Sequence, residues 1–194
     1  MRNISNAARE KCFLLQSELE ILLPASGDYV TSVNGLTLYR RERTNKAEDE
    51  GLAEPHATIV FQGAEKVRIN GRNYICRPCQ CRVTGQEVFG TGHIAEASSD
   101  QPFLAASLSL DFVLINELSE KAAPLINNER ITLRKISVED TDTEMLDAFL
   151  RLIRLLRNPE RLSVLTPIII REIHYLLLVG PHSRHLKPKP LHWQ

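Results

Sequence analysis

The stretch that decides the fold runs from Glu54 to Leu110 and reads EPHATIVFQGAEKVRINGRNYICRPCQCRVTGQEVFGTGHIAEASSDQPFLAASLSL. Its short apolar segments are separated by turn dipeptides such as Asn70-Gly71, which suits a two-residue turn with positive φ. Six segments have the length of strands: Thr58–Phe61, Val67–Ile69, Tyr74–Cys76, Cys79–Val83, His93–Ala97 and Phe103–Leu110. Short strands at regular spacing bury their inward side chains by forming a sandwich or a small barrel. We therefore predict a β-meander that closes on itself, in an α+β chain.

The residues on both sides of this stretch predict mainly helices. Between Ser5, a plausible N-cap, and Pro24, apolar residues recur at steps of three and four. The segment 36–40 alternates like a strand that enters the barrel, and the charged segment 40–51 predicts an exposed loop. Asp111 can cap a helix directly after the barrel.

Strong helix signals follow in the last third of the chain. Thr141 and Glu144 form a capping box, and Asn158-Pro159 predicts the end of that helix. Thr166-Pro167 has the form of a second helix start, and Gly180-Pro181 has the form of a helix end. Apolar residues occupy much of the circumference of both helices, so these faces must be buried against another surface. The same helices of a second copy of the chain could provide that surface. The residues predicted for dimerisation are Met145, Phe149, Leu152, Leu156, Ile169, Ile173 and Leu177.

Composition restricts the function classes. The 194 residues include 24 Lys and Arg and 24 Asp and Glu, so a net charge of zero gives no general attraction to nucleic acid or an anionic membrane. No run approaches the roughly 20 apolar residues of a membrane span, and the N-terminus lacks the apolar run of a secretion signal. We expect a cytoplasmic protein with no membrane partner.

The four cysteines are not spaced like a disulfide framework. Three of them, Cys76, Cys79 and Cys81, surround the Arg77-Pro78 turn, and Cys12 lies on the first predicted helix. On a strand, Cys79 and Cys81 would share one face, which could be the pocket. Core packing, redox or electrophile sensing, and zinc binding all remain open for these thiols.

Several longer motifs carry a family resemblance. They are the segments 55–66, 97–105, 149–156 (FLRLIRLL), 165–175 (LTPIIIREIHY) and 178–182. Together they resemble the N-terminal domain of the AraC-type bacterial transcriptional regulators over about residues 25–186. The resemblance implies a cupin-like β-barrel of jelly-roll type that binds a small effector, with an N-terminal helix and C-terminal dimerisation helices. In that family the domain is followed by two helix-turn-helix motifs that bind DNA.

The resemblance divides the chain into segments. We expect residues 1–24 to form the N-terminal helix, 25–110 the effector-binding barrel, 111–186 the helical dimerisation segment and 187–194 a tail. The chain departs from the family pattern because it stops within eight residues of Leu186. We therefore expect the helix-turn-helix DNA-binding domain to be absent, and DNA to be a partner only through that domain.

The predicted function is that of a dimeric sensor domain of an AraC-type regulator, with no catalytic residues. The residues predicted to bind the small effector, in a largely apolar cavity, are His56, Ile59, Phe61, Val67, Ile69, Cys81 and His93. The alternative is a small metal-dependent cupin enzyme. Such enzymes use paired histidines with a glutamate and a third histidine, a motif that His56 and His93 do not form, so we predict no metal and no cofactor.

Overall fold

The computed structural model of the chain describes residues 4–45, 51–122 and 135–186. The strands are β1 Gly27–Val30, β2 Leu36–Arg41, β3 Gly51–Ala53, β4 His56–Gln62, β5 Ala64–Ile69, β6 Arg72–Cys76, β7 Gln80–Thr84, β8 Val88–Glu96, β9 Phe103–Ser109 and β10 Ile136–Asp140. The helices are α1 Asn6–Leu22, α2 Phe112–Ala122, α3 Thr143–Leu155 and α4 Pro159–Val179, followed by a 3₁₀ turn, Ser183–His185.

The strands form two antiparallel sheets that face each other. Sheet A has the order β1-β2-β9-β4-β7-β10, and sheet B has the order β3-β8-β5-β6. Because β4 pairs with β7 and β9 rather than with β5, the chain passes back and forth between the sheets. The predicted meander is therefore wrong in strand order, whereas the α+β class with a cupin-like jelly-roll sandwich is confirmed.

A glycine lets the chain leave sheet A for sheet B after β4. Gly63 has φ +73°, and a Cβ atom at this position would overlap the Glu96 carbonyl oxygen. A left-handed conformation at such close approach favours glycine over every other residue. The predicted Asn70-Gly71 turn is also present between β5 and β6, with positive φ at both residues.

The two faces of sheet A contact different layers. In β4, Ile59 and Phe61 pack in the main apolar core together with residues of the helices, whereas Val60 packs in a separate cluster with Cys76 of sheet B. Successive side chains of a strand point to opposite faces, so this alternation places the helices on one face and sheet B on the other.

Helix α1 forms where the sequence predicts it, and it covers part of the helical face of sheet A. Ser5 is its N-cap, and the Ser5 hydroxyl oxygen accepts a hydrogen bond of 3.1 Å from the Ala8 N–H. The predicted apolar stripe is buried at Ala8, Cys12, Leu15 and Leu19.

Helix α3 is buried within one chain on both of its apolar faces. It packs against α1 and against α4, and its N-cap is Asp142 rather than the predicted Thr141. The residues predicted for dimerisation lie in the same core: Met145, Phe149, Leu152, Ile169, Ile173 and Leu177 are buried, and Leu156 is partly buried against it. These side chains are already in contact within the chain, because α1 takes the place that the sequence analysis gave to a second copy. The predicted interface is corrected accordingly.

Helix α4 is continuous, so the predicted new start at Thr166-Pro167 is wrong. A proline inside a helix removes one N–H donor and disturbs the carbonyl four residues earlier. Pro167 and Ser163 are both exposed, so solvent can satisfy the Ser163 carbonyl. The predicted helix end at Gly180 is present, and its N–H donates to the Leu176 carbonyl at 2.9 Å.

One helix within the described residues has the length and hydropathy of a membrane span, namely α4. The sequence contains no strictly apolar run of this length, because polar residues interrupt the apolar residues of α4. The inner side of α4 buries Ile169, Ile173, His174 and Leu177 in the core. A core helix of a soluble protein passes the same test, so the length and hydropathy of α4 are weak evidence for a membrane span.

Strand β10 lies in the stretch 111–186, which the sequence analysis assigned to helices. It pairs with β7 along Ile136–Asp140 and forms one edge of sheet A. The polar residues 127–130, which precede β10 in the sequence, lie outside the described residues.

A buried histidine joins the end of the chain to β10. The His182 ring nitrogen Nδ1 lies 2.8 Å from the Ser137 hydroxyl oxygen, and the side chain is 4% exposed. Burial, helped by the charge of His185, lowers the pKa of His182 from 6.5 to about 4. The folded state therefore resists protonation of this ring.

This burial predicts a loss of stability in mild acid. The contribution of neutral His182 to the free energy of unfolding is fully present above pH 6.5. It is lost as the pH falls toward 4, because only the unfolded chain takes up a proton at this histidine in that range. The expected loss over this range is roughly 3 kcal/mol. Urea unfolding of wild type and of His182→Asn between pH 7 and pH 4 tests this. We expect the free energy of unfolding to depend less steeply on pH in the variant than in wild type. Equal slopes would contradict the role given to the buried, neutral His182.

Candidate functional site

A cavity of about 320 Å³ lies between the two sheets. Its volume is at the small end of the range of about 300–1,000 Å³ that is common for ligand pockets. Its lining residues come from both sheets: Tyr39, Arg41, Asn45, His56, Thr58, Glu65, Arg82, Gly92, His93, Ile94, Phe103, Ala105 and Ser107. Most of these side chains are polar or charged, so the cavity suits a small polar molecule.

Arg82 is the centre of a hydrogen-bond network in this cavity. Its Nε donates to Glu65 Oε1 at 2.6 Å, and its Nη1 donates to His56 Nε2 at 2.7 Å and to Thr84 Oγ1 at 3.2 Å. Its Nη2 makes a longer contact of 3.5 Å with Thr58 Oγ1. The Thr58 hydroxyl in turn donates to Ser107 Oγ at 3.0 Å. The network thus connects β4, β5, β7 and β9 across the space between the sheets.

The contacts of His56 define its tautomer. Its Nδ1 lies 2.6 Å from the Glu54 carbonyl oxygen, an acceptor, so Nδ1 carries the proton. Its Nε2 then accepts the hydrogen bond from Arg82. Burial and the neighbouring Arg82 charge lower the pKa of His56 to about 4. The ring is therefore a neutral acceptor at neutral pH.

The Arg82–Glu65 ion pair is shielded from solvent. The two side chains are 10% and 13% exposed, and they join β7 of sheet A to β5 of sheet B. Burial acts to lower the pKa of Arg82, but the charge and hydrogen bond of Glu65 outweigh it and raise that pKa. Burial also raises the pKa of Tyr39 nearby. A buried pair of this kind needs further hydrogen bonds to offset desolvation, and His56 and Thr84 supply them to Arg82.

The alternation of β7 explains how the sequence builds this site. Gln80, Arg82 and Thr84 point between the sheets, and Cys81 and Val83 point into the core beneath the helices. Because β7 pairs with β4 on one side and β10 on the other, Arg82 is held inside the sheet and not at an edge.

Comparison with known families identifies the chain. Residues 32–185 match the family model described as the AraC-type transcriptional regulator N-terminus. The chain belongs to this family. A comparison with curated protein sequences finds no match.

Solved structures agree with the fold of this AraC-type domain. ToxT of Vibrio cholerae O395, bound to (E)-4-(8-methylnaphthalen-1-yl)but-3-enoic acid, superposes with a TM-score of 0.56 at 9% identity, over 79% of this chain and 58% of ToxT. Apo ToxT K231A of V. cholerae strain SCE256 superposes with a TM-score of 0.52 at 6% identity, over 80% of this chain and 59% of that ToxT chain. Wild-type ToxT of the same strain, bound to an unsaturated fatty acid, superposes with a TM-score of 0.50 at 8% identity, over 79% of this chain and 56% of that ToxT chain. The AraC-type domain therefore spans less than two thirds of the ToxT chain, and at these identities the likeness shows the fold alone.

The structure brings together only part of the predicted effector site of this AraC-type domain. His56 and His93 line the cavity. Ile59, Phe61 and Cys81 lie on the opposite face of sheet A, in the core beneath the helices. Val67 and Ile69 belong to another apolar cluster, which also contains Val88 and Ile136. The prediction of a largely apolar lining is therefore wrong, because it placed the helical face of sheet A inside the barrel.

The cysteines of this AraC-type domain also lie away from the cavity. Cys12, Cys79 and Cys81 are in the core beneath the helices, and Cys76 is in the cluster between the sheets. Cys79 and Cys81 do share a face, as predicted, but that face is not the pocket. Within residues 4–45, 51–122 and 135–186, no group of three or more His, Cys, Asp and Glu side chains could hold a metal ion.

Sequence reasoning missed the residues that dominate the site, Arg82 and Glu65. The sequence feature that indicates Arg82 is the alternation of polar or charged residues with apolar ones along β7. That alternation separates the two faces of the strand, but it does not show which face packs against the helices.

Proposed function

We propose that this chain is the effector-sensing domain of an AraC-type transcriptional regulator, and that it binds a small, negatively charged effector in the cavity between its sheets. The observation that carries this proposal is the Arg82 network, a buried charged network that faces ligand-sized space. In an AraC-type regulator, helix-turn-helix motifs would convert effector binding by such a domain into altered DNA binding.

The chemistry of the lining supports an acidic effector. Nη2 of Arg82 makes only a 3.5 Å contact with Thr58, so it is the guanidinium nitrogen best placed to donate a hydrogen bond to an effector. An effector carboxylate there would also meet the hydroxyl groups of Thr58 and Ser107. Charge-assisted hydrogen bonds of this kind are stronger than neutral ones. Two ToxT structures are bound to a carboxylic acid and to an unsaturated fatty acid, which agrees with this class of effector.

The aromatic and aliphatic lining restricts the remainder of the effector. Tyr39, Ile94 and Phe103 line the cavity with apolar surface. The volume of about 320 Å³ is suited to a compact molecule. We therefore propose a short-chain or single-ring carboxylic acid.

A substitution at Gly92 tests where the effector binds. Gly92 lines the cavity, and a Cβ added there meets nothing within 4 Å, so Gly92→Leu adds a side chain to the lining without a clash at Cβ. We expect it to weaken binding at least about tenfold, which corresponds to roughly 1.4 kcal/mol. Calorimetric titration with small carboxylic acids, and with the corresponding amides, measures the effect.

Gly51→Leu is the matched control. A Cβ at Gly51 also meets nothing within 4 Å, but Gly51 does not line the cavity. It should bind like wild type. Equal weakening in both variants, or equal binding of acids and amides, would contradict the proposed site and effector class.

Self-association remains part of the proposal, but it must use other residues than those predicted. Val164 and Ile168 lie one turn apart on α4 and are 64% and 58% exposed. We propose that this exposed side of α4 contacts a second copy of the chain.

A further inference from the structure

Cys12 and Cys79 are buried in the same core cluster on the helical face of sheet A, away from the proposed effector site. Both contact the end of β4: Cys12 Sγ is 3.9 Å from the Phe61 carbonyl oxygen, and the Cys79 N–H donates to the adjacent Val60 carbonyl at 2.9 Å. Each of the two thiols also shifts the pKa of the other, as neighbouring side chains do. Two residues far apart in sequence are thus brought together at the end of β4.

The backbone at Cys79 is unusual for a cysteine. Pro78 and Cys79 are the central residues of a turn closed by the Gln80 N–H, which donates to the Arg77 carbonyl at 3.0 Å. Cys79 has φ +65°, at the turn position that normally favours glycine. Its carbonyl accepts a hydrogen bond of 2.9 Å from the Thr141 N–H, so the turn is fixed to the start of α3. The thiol is therefore held in place against α1 at a cost in backbone strain.

The surroundings of the four thiols shift their pKa values in different directions. The hydrogen bond from Cys12 lowers the pKa of Cys79 against the effect of burial, and the positive charge of Arg9 lowers it further. The same contact and burial raise the pKa of Cys12. Burial raises the pKa of Cys76 well above its usual range and that of Cys81 to about 12. Cys79 is also the most exposed of the four, at 7%. Since the thiolate is the nucleophile, Cys79 is the thiol that reacts first.

We propose that Cys12 and Cys79 form a peroxide-sensitive pair that closes to a reversible disulfide between α1 and the turn before β7. The oxidant is a hydroperoxide, ROOH. The Cys79 thiolate attacks the terminal peroxide oxygen, the O–O bond breaks, and the alkoxide leaves and takes up a proton as the alcohol. The Cys12 sulfur then attacks the Cys79 sulfenic acid, the S–O bond breaks, and water leaves with the Cys12 proton. Two thiols lose two electrons in total, and the hydroperoxide is reduced to alcohol and water.

Mass spectrometry of the full chain after treatment with hydrogen peroxide tests the proposal. We expect the intact chain to become lighter by two hydrogen atoms, and a peptide containing Cys12 to be linked to one containing Cys79. Dithiothreitol should reverse both changes. The link should also raise the thermal unfolding midpoint by several degrees, because it closes a long loop of the unfolded chain.

Two variants keep the test decisive. Cys79→Gly suits the positive φ and should fold at least as well as wild type, yet form no intramolecular disulfide. Cys76→Ser should still form the Cys12–Cys79 link. A link to Cys76 or Cys81, no linked peptide in wild type, or the same loss of two hydrogen atoms in Cys79→Gly would overturn the proposal.

Discussion

Replacement of Arg82 by methionine is expected to destabilise the domain by about 3–5 kcal/mol, because it leaves a buried carboxylate without its partner. Glu65 would lose the Nε donor at 2.6 Å, and His56 Nε2 would lose its donor at 2.7 Å. Methionine is similar in length to arginine, so the loss reports on charge and hydrogen bonding more than on packing. Urea unfolding at pH 7 measures the free energy of unfolding.

A control and a second variant define the origin of this effect. Arg68 lies on β5, as Glu65 does, but is exposed, so Arg68→Met should change stability by no more than about 0.5 kcal/mol. The double variant Glu65→Gln with Arg82→Met should recover part of the loss, since it removes the unpaired charge. A loss below about 1 kcal/mol in Arg82→Met would mean that solvent reaches the pair, contrary to the burial described above.

Replacement of Phe149 by alanine is expected to cost about 3–5 kcal/mol of stability without a direct effect on self-association. Phe149 is fully buried between α3 and the layers around it, so the change leaves a cavity inside one chain. Thermal or urea unfolding measures the stability, and sedimentation of the folded protein measures its association.

The exposed side of α4 supplies the complementary variant. Ile168→Glu should leave the stability of the chain within about 0.5 kcal/mol, because the side chain is 58% exposed, and it should weaken any dimer. If Phe149→Ala instead dissociated a dimer while the chain kept its full stability, Phe149 would be an interface residue after all. A monomeric wild-type protein would rule out the proposed contact through α4.

The parts of the fold that sequence reasoning predicted are those controlled by local chemistry. Ser5 caps α1, Asn70-Gly71 forms the turn between β5 and β6, and Gly180 ends α4, each at the predicted place. These features depend on a few neighbouring residues and their backbone preferences. They need no knowledge of which layer a strand contacts.

The parts that sequence reasoning did not predict depend on tertiary contacts. Strand β10 is an edge strand of mixed composition and forms because β7 offers it a partner. The polar cavity was missed for a related reason. An alternating strand such as β4 separates Thr58 from Ile59, but only the position of the helices decides which of the two lies inside the barrel.

The position of sheet A has a mechanical consequence for signalling. The residues that face the cavity and the residues that support the helices alternate along the same strands, so Arg82 is bonded on both sides to residues of the helical core, Cys81 and Val83. Under the proposed function, a ligand that displaces the β7 backbone at Arg82 would also displace the part of sheet A beneath α1 and α3. Close-packed layers resist compression, so such a displacement would be transmitted to the helices and not absorbed. A change in occupancy by the proposed effector would in this way reach the outer surface of the helical layer without any opening of the barrel.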